Sequence, residues 1–243
     1  MARAPAKPDY GIDAPGVIRN LLVIGVALLV LARFLPEVTI GSMSLVLRPM
    51  AFWTGLACLV EGLAMILYAK VGKFHHRDRM LALINWTGNE TVLDVGTGRG
   101  LLLIGAARKL TTGKAVGIDI WSKTDLSGNS KEKTLTNVEI EGVSARVEIR
   151  SEDATAMQFP DGTFDVVLSN LCIHNIPSRQ GRDQACREIV RVLKPGGKAI
   201  ISDFKNTADY VKAFQAAQAS ASRGAPNFLS TFPPLRVVEV TKK

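Results

Sequence analysis

Hydrophobic and polar positions follow two different patterns along this chain, and the change falls near residue 70. Before it, two long apolar runs occupy residues 17–35 and 50–69. After it, short apolar runs alternate with segments of helical period. They predict strands at residues 91–95, 115–119, 146–150, 164–169 and 198–202, and helices at residues 99–110, 130–141, 179–192 and 206–218. Such alternation is typical of a parallel sheet that is covered by helices on both faces.

The two apolar runs are each about as long as the ~20 residues that a helix needs to cross the hydrocarbon core of a bilayer. In the first run the strongly polar residues are Arg19, Asn20 and Arg33, near its ends, and the second contains Glu61 as its single charged residue. The mean hydropathy of +0.16 is also high for a soluble protein that is 21% charged. A cleaved signal peptide is the alternative for the first run, but a second run follows it. We therefore predict a helical hairpin that spans a membrane.

The charges that flank these runs predict their orientation. The loop between the runs has mainly Arg48, whereas basic residues cluster outside them: Arg3, Lys7 and Arg19 on one side, and Lys70, Lys73, Arg77 and Arg79 on the other. Because basic residues stay on the cytoplasmic side of a membrane, both ends of the chain are predicted to be cytoplasmic. The chain then divides into a cytoplasmic tail at residues 1–16, a transmembrane hairpin at 17–70 and one α/β domain at 71–243.

Glu61 is the unusual residue of the predicted hairpin, because a carboxylate in the middle of a span costs a few kcal/mol unless it faces protein or water. One interpretation places it beside a lipophilic ligand that enters from the membrane. The other makes it a packed side chain that faces the other helix or a partner in a homo-oligomer, and this second interpretation is favoured. Gly55 and Gly62 are interpreted as a packing face.

Residues 91–100, which read TVLDVGTGRG, carry the clearest chemical signal. They predict a strand, a tight turn and a helix start, where Gly96, Gly98 and Gly100 let a nucleotide-like ligand approach bare backbone. A dinucleotide fingerprint needs a third glycine at the position of Leu101, and no G-x-x-x-x-G-K-[ST] loop is present. Pyrophosphate ligands, and with them a nicotinamide-dependent oxidoreductase, are therefore disfavoured.

Four motifs in order resemble those of class I methyltransferases that use S-adenosylmethionine (SAM). They lie at residues 92–100, 115–119 (AVGID), 164–170 (FDVVLSN) and 192–197 (VLKPGG). The resemblance covers roughly residues 74–241 and is closest to the branch that includes ubiquinone and menaquinone biosynthesis methyltransferases. It implies a Rossmann-like, doubly wound sheet with an antiparallel last strand, and residues 235–240 suit a final edge strand. Gln218 stands where relatives have a glycine-containing turn, so the pattern leaves the sixth strand open.

The resemblance also implies a cofactor site for SAM at the carboxyl ends of the strands. Asp94 is expected near the methionine part, Asp119 at the ribose hydroxyls and Ile120 on the adenine. Asp153 is expected to accept a hydrogen bond from the adenine amino group. The complete predicted cofactor-binding set is Asp94, Gly96, Thr97, Gly98, Gly100, Asp119, Ile120, Asp153, Ala154 and Asn170.

His174 is the candidate catalytic residue, because it follows the fourth strand, where relatives place residues that face the substrate. Its near-neutral pKa would suit a general base; a structural hydrogen-bonding role is the alternative. No metal site is predicted, since two adjacent histidines, His75 and His76, make a poor one and the three cysteines lack C-x-x-C spacing.

Charge and composition limit the partners. The chain has a net charge of +8, but residues 71–243 hold 24 Lys and Arg against 18 Asp and Glu, spread along the sequence. A nucleic-acid groove is therefore not expected, and the basic residues near the spans fit anionic lipid headgroups better. The prediction is a membrane-anchored SAM-dependent methyltransferase with a lipophilic or small-molecule acceptor. The alternative is a noncatalytic SAM-binding or scaffold protein of the same fold.

Overall fold

The computed structural model describes residues 7–36, 38–40 and 43–243, and shows a helical hairpin followed by an α/β sheet. The hairpin consists of α1 (Pro15–Phe34), a short antiparallel pair formed by β1 (Val38–Ile40) and β2 (Met43–Leu45), and α2 (Leu47–Leu67). Both helices coincide with the predicted apolar runs. Arg3 of the predicted tail and Glu37 of the predicted loop lie outside the described residues.

Small residues bring α1 and α2 into close contact. A methyl group on Gly25 or on Gly55 would lie 2.9 Å from the backbone oxygen of the other glycine, and one on Gly62 would lie 2.9 Å from Leu22. The packing role predicted for Gly55 and Gly62 is therefore confirmed. The outer surface of the pair stays uncovered, since only 17% and 11% of the most apolar windows of these two helices are buried.

Glu61 lies on the exposed side of α2 rather than on the side that faces α1. The glycines that touch α1, Gly55 and Gly62, are buried, whereas Glu61 and its neighbours Val60 and Leu63 are exposed. The interpretation that Glu61 packs against the other helix is therefore wrong. A partner in a homo-oligomer stays a prediction.

The second helix does not end at the predicted domain boundary. A π-helical turn at Tyr68–Gly72 follows α2, and α3 (Lys73–Leu81) continues from it with helical dihedral angles at each junction. One helix thus extends from Leu47 to Leu81. Its last part packs across the next helix of the domain, where a methyl group on Gly105 would touch Arg77 and Leu81.

The domain is built on a seven-stranded sheet in which strands and helices alternate as predicted. The strands are β3 (Thr91–Val95), β4 (Lys114–Asp119), β5 (Val147–Ser151), β6 (Phe164–Asn170), β7 (Leu193–Asp203), β8 (Ala219–Arg223) and β9 (Arg236–Lys242). The helices are α4 (Leu101–Ala107), α5 (Lys131–Ile140), α6 (Arg179–Val192) and α7 (Thr207–Ala216). The strand order is β5-β4-β3-β6-β7-β9-β8, and the first five strands are parallel. A buried apolar cluster covers each face of the sheet.

The carboxyl-terminal strands differ in part from the sequence prediction. β9 is antiparallel, as expected, but it pairs with both β7 and β8 and is therefore an interior strand rather than the edge. The edge strand is β8, the sixth strand of the sheet, which the sequence left open. Gln218 replaces the usual glycine in the turn before β8 by adopting a φ of 63°.

Residues 7–14, here called the N-terminal strap, pack on the α/β domain before α1 begins. The backbone of Asp9 exchanges two hydrogen bonds with the Asn137 side chain, and Arg99 forms an ion pair of 2.9 Å with Asp9. The buried Lys73 donates hydrogen bonds to Tyr10 O and Gly11 O, at 2.9 and 2.6 Å. The strap also pairs with residues 125–127. The α/β domain therefore contacts the chain on both sides of the hairpin: the strap before α1 and α3 after α2.

Candidate functional site

The predicted site lies where the parallel strands end. β3, β4, β5, β6 and β7 end at the same edge of the sheet, and the chain order reverses between β3 and β6. Ligands of open α/β sheets bind at such a switch point. The ends of β3, β4, β5 and β6, together with the loops that follow them, carry the residues predicted from the sequence.

The loop after β3 is a bare backbone turn. Gly96, Gly98 and Gly100 have φ values of 73°, 53° and 86°, in the left-handed region that residues with a side chain rarely adopt. A side chain at Gly96 would collide with Cys172, and one at Gly98 would lie 2.9 Å from Leu126. The backbone conformation therefore requires glycine at all three positions, and the available space requires it at Gly96 and Gly98 as well.

Asp94 of β3 stabilises this loop through side-chain hydrogen bonds. Its Oδ2 accepts hydrogen bonds from Thr97 Oγ1 at 2.8 Å and from the Leu103 amide at 3.0 Å, and its side chain is 1% exposed. Burial raises the pKa of Asp94 to about 7, although these two hydrogen bonds oppose the shift. The side chain thus shapes the loop, and its predicted interaction with the methionine part of a cofactor stays a prediction.

Asp119 closes the loop at the end of β4. Its Oδ2 accepts a hydrogen bond from the Gly98 amide at 2.8 Å, and its Oδ1 accepts from the Trp121 amide at 2.6 Å and Asn129 Nδ2 at 3.2 Å. A carboxylate has about four lone-pair positions, so the arrangement leaves room for a ligand hydroxyl. The Asn129 Oδ1 atom beside it is buried without a hydrogen-bond partner among the described residues.

The other predicted adenine-side residues surround the same edge. Ile120 follows Asp119 with 70% of its surface exposed, as a hydrophobic wall for a flat ring would be. Asp153 follows β5, where its Oδ1 accepts hydrogen bonds from the amide and hydroxyl of Thr155. Ala154 packs against the core. Their contacts with a cofactor stay predictions.

Asn170 ends β6 and meets a residue that the sequence did not identify as part of a site. Its side chain lies beside the hydroxyl of Tyr68, which comes from the π-helical turn after α2. Tyr68 Oη and Asn170 Oδ1 are both buried, and the Asn170 amide is close enough to the Tyr68 hydroxyl to act as its hydrogen-bond partner. Asp13 of the strap is also buried, and its Oδ2 forms an ion pair of 3.6 Å with Lys73 Nζ.

His174 lies in a 3-10 turn after β6 and contacts the end of β7. Its Nδ1 is 2.8 Å from Oδ1 of Asp203, although the two groups are not aligned as a hydrogen bond. The His174 amide donates to Asp203 Oδ2 at 3.2 Å, and Tyr210 Oη donates to the same atom at 3.1 Å. Asp203 is fully buried. An acid directly after a predicted buried strand is a signal that could have identified Asp203 from the sequence.

The site fits the cofactor that the motifs imply. In the glycine turn, a Cβ at Gly96 or Gly98 would collide with a neighbouring side chain. Ile120 presents an apolar surface, and Asn129 Oδ1 is a buried acceptor without a donor among the described residues. SAM carries hydroxyl and amino donors and a flat purine ring, so these features match it. Among the described residues, no group of three or more His, Cys, Asp and Glu side chains could hold a metal ion.

Comparisons with known proteins agree with this geometry. Residues 93–201 match the family model of a methyltransferase domain. The chain is 36% identical over 116 residues to the ubiquinone/menaquinone biosynthesis C-methyltransferase UbiE of Escherichia coli. That alignment covers 47% of this chain and 43% of the relative, so the chain matches less than half the length of this curated relative.

Solved structures show the same fold. The YcgJ protein from Bacillus subtilis aligns with a TM-score of 0.58 and 16% identity, over 70% of this chain and 99% of that one. A putative SAM-dependent methyltransferase from Listeria monocytogenes aligns with a TM-score of 0.54 and 19% identity, over 71% of this chain and 98% of that one. At such identities the likeness concerns the fold.

Proposed function

Since this chain carries a class I methyltransferase domain of the SAM-dependent kind, we propose that it is a membrane-anchored enzyme that methylates a lipophilic or small-molecule acceptor. S-adenosylmethionine is the cofactor. The curated relatives are named as C-methyltransferases of quinone biosynthesis. A carbon atom of an oxygenated ring is therefore the first acceptor to test.

The unbroken helix from Leu47 to Leu81 carries this proposal. Its first part is apolar and exposed, and its π-helical turn brings Tyr68 beside Asn170 at the strand ends. A soluble protein has no reason to leave two 20-residue apolar helices uncovered, whereas a bilayer would cover them. The site would then lie next to the membrane surface, within reach of an acceptor dissolved in lipid.

The chain's own residues would bind, orient and shield the reactants. SAM supplies the electrophilic methyl group when bound. The glycine turn and Asp119 would fix its nucleoside, and Asn170 would contact its amino-acid end. The strap and residues 121–130 would exclude water from the cleft, because they are joined to each other by backbone hydrogen bonds. Methyl transfer needs mainly such positioning and exclusion of water.

His174 is the proposed base for an acceptor that must lose a proton. The carboxylate of Asp203, 2.8 Å from Nδ1, favours a proton on that nitrogen and leaves Nε2 as the acceptor. The buried position of Asp203 and its bonds to Tyr210 and the His174 amide would keep the imidazole in place.

Labelling in cells tests the proposed function. Cells with the wild-type protein, with Asp119→Ala or without the protein would be grown on methionine with a trideuterated methyl group. We expect a lipid-extracted compound that gains the labelled methyl only with the wild-type protein. A protein that binds SAM in vitro but yields no labelled product in any cell fraction would instead favour the noncatalytic alternative.

A further inference from the structure

The loop between β8 and β9 carries an apolar tip that the domain leaves uncovered. Residues 224–235, here called the β8–β9 loop, read GAPNFLSTFPPL and contain no charged side chain. At the tip, Phe228 is 73% exposed and Leu229 is 100% exposed. Two adjacent large apolar side chains in contact with water are unfavourable, and such surface is typical of an interaction site. The tip therefore indicates a contact that the domain alone does not supply.

Hydrogen bonds within the β8–β9 loop hold the tip in this position. The side chain of the buried Asn227 accepts, through Oδ1, from the amides of Leu229 and Ser230 at 3.1 and 3.2 Å. The Asn227 amide donates to Leu235 O at 2.8 Å, and Thr231 Oγ1 accepts from the Leu235 amide at 2.9 Å. The exposure of the tip thus follows from a backbone that is paired on both sides of it.

The β8–β9 loop packs against the base of the hairpin. A methyl group on Gly72, the last residue of the π-helical turn, would collide with the backbone oxygen of Ser230. Gly72 comes five residues after Leu67, where α2 ends, which is roughly 7 Å along the helix. Leu67 is itself 64% exposed. The apolar tip therefore lies beside the end of the exposed apolar helix.

Basic residues surround the uncharged β8–β9 loop. Arg223 directly precedes it and Arg236 directly follows it. Lys70 is exposed on the π-helical turn against which the loop packs. An apolar tip with cations behind it suits the boundary between the acyl chains and anionic headgroups of a bilayer, because the tip leaves water while the cations remain at the headgroups. The arrangement therefore fits a lipid surface.

We infer that the β8–β9 loop inserts Phe228 and Leu229 into the surface of the bilayer, beside the point where α2 leaves it. The inference rests on the membrane anchoring in the proposed function, to which it adds a second lipid contact. This contact lies on the carboxyl-terminal strand pair, away from the axis of the hairpin. It would oppose tilting of the domain, so that the cleft at the strand ends keeps one orientation to the membrane.

Fluorescence quenching by lipids tests the insertion. Full-length protein is placed in nanodiscs of phosphatidylcholine and phosphatidylglycerol, and Leu229→Cys is labelled with an environment-sensitive fluorophore. Because Leu229 is fully exposed, the substitution should leave the fold intact. We expect nitroxides near the glycerol end of the acyl chain to quench this label on the order of twofold, and nitroxides near the chain end to quench it less. Wild-type protein treated in parallel gives the background from the three native cysteines.

Two labelled positions and two further variants serve as controls. Thr112→Cys labels an exposed residue before β4, at the opposite edge of the sheet, and should not be quenched. Val60→Cys labels an exposed residue of α2 and should be quenched most by nitroxides near the chain end. Adding Phe228→Asp to Leu229→Cys should reduce the quenching to the level of Thr112→Cys, because a charged side chain resists insertion. Phe228→Leu should retain it.

Quenching at Val60→Cys without quenching at Leu229→Cys would overturn the inference and keep the hairpin. A shift in the emission of the Leu229→Cys label that no nitroxide quenches would overturn it too, because the tip would then fold back into the cavity of about 350 Å³ that it lines with Arg79 and Leu83. Quenching that survives Phe228→Asp would come from the fluorophore and would also overturn it.

The proposed function fails in a different way. No quenching at either Val60→Cys or Leu229→Cys would reject the membrane anchoring and the inference together. The labelling experiment in cells decides methyl transfer separately: quenching at both positions without any labelled product would reject the reaction while keeping both lipid contacts.

Discussion

The backbone amide of Gly98 donates a hydrogen bond of 2.8 Å to the carboxylate of Asp119, and this bond joins the ends of two neighbouring strands. The glycine turn and the acid thus depend on each other. A change at either residue should alter the shape of the cofactor site, and a change at Asp119 should alter its charge as well.

Asp119→Ala should weaken SAM binding by about 1 to 3 kcal/mol, because ligand hydroxyls and loop amides both lose a charged acceptor. Calorimetry on the full-length protein in detergent measures this. Asp119→Asn, which keeps one acceptor oxygen, should lose less. Unchanged affinity in Asp119→Ala, or tighter binding of NAD than of SAM to the wild type, would contradict the assignment.

SAM binding should depend on pH through Asp94. In the free protein, burial holds the pKa of this carboxyl at about 7, so it is largely protonated in mild acid. The cationic groups of SAM favour the carboxylate, so binding should release a proton and affinity should rise with pH up to about 7 and then level off. Titrations across this range test the slope. Asp94→Asn, which cannot ionise, should show none from this group.

Gly96→Ala should abolish SAM binding and destabilise the protein, because φ is positive there and the new Cβ would collide with Cys172. Gly142→Ala is the control: its φ is 67°, but a Cβ there meets open space. The control should lose only the conformational term of about 1 to 2 kcal/mol and keep its affinity. Equal losses in both variants would mean that space at Gly96 is not required.

His174→Gln should lower kcat about 10² to 10⁴-fold if the residue is the general base, with little change in SAM affinity. His75→Gln is the control, since this histidine is exposed on α3. Both rates are measured with the acceptor found by labelling. A variant that unfolds, or that loses SAM binding in proportion to its rate, would assign His174 the structural role beside Asp203.

The full-length protein should remain in the membrane fraction after carbonate or high-salt washing, because two spans bury far more apolar surface than a peripheral helix does. A reporter inserted in the loop at residues 37–48 should be accessible from outside the cytoplasm only. Release by the wash would refute the two spans. Labelling of the loop from the cytosolic side would reverse the topology.

The elements of the domain could be predicted because their signals are local. Strand β3, its glycine turn and the acid that ends β4 each follow from a few adjacent residues. The position of β9 could not be predicted, since residues 236–242 read as a strand wherever they pair. Gln218 in a left-handed turn carries no sequence signal either, because glycine is the residue expected there.

The same distinction, between local sequence signals and contacts with distant parts of the chain, applies to the candidate site. Residues that act through their own loop, such as Gly96 and Asp119, could be identified from spacing. Tyr68 could not, because its place beside Asn170 depends on how far the second helix of the hairpin continues into the domain. The orientation of Glu61 differs from the prediction for a related reason: its position along α2 follows from the sequence, but the side of the helix on which it lies depends on the packing of Gly55 and Gly62.

Residues Leu47 to Leu81 form a single helix. A change in the length of this helix would therefore change both the orientation of the domain relative to the hairpin and its distance from it. Inserting one residue after Leu67 would turn the whole domain by about 100° around the hairpin axis and move it by about 1.5 Å. The strap, which returns to the same domain from the other helix, would then no longer reach its partners on Asn137 and Arg99. An insertion of about seven residues, two turns, would restore the orientation and, in the proposed membrane arrangement, would move the site about 10 Å away from the bilayer. The hairpin is therefore not an interchangeable segment, because the length of its second helix determines the direction in which the cleft opens.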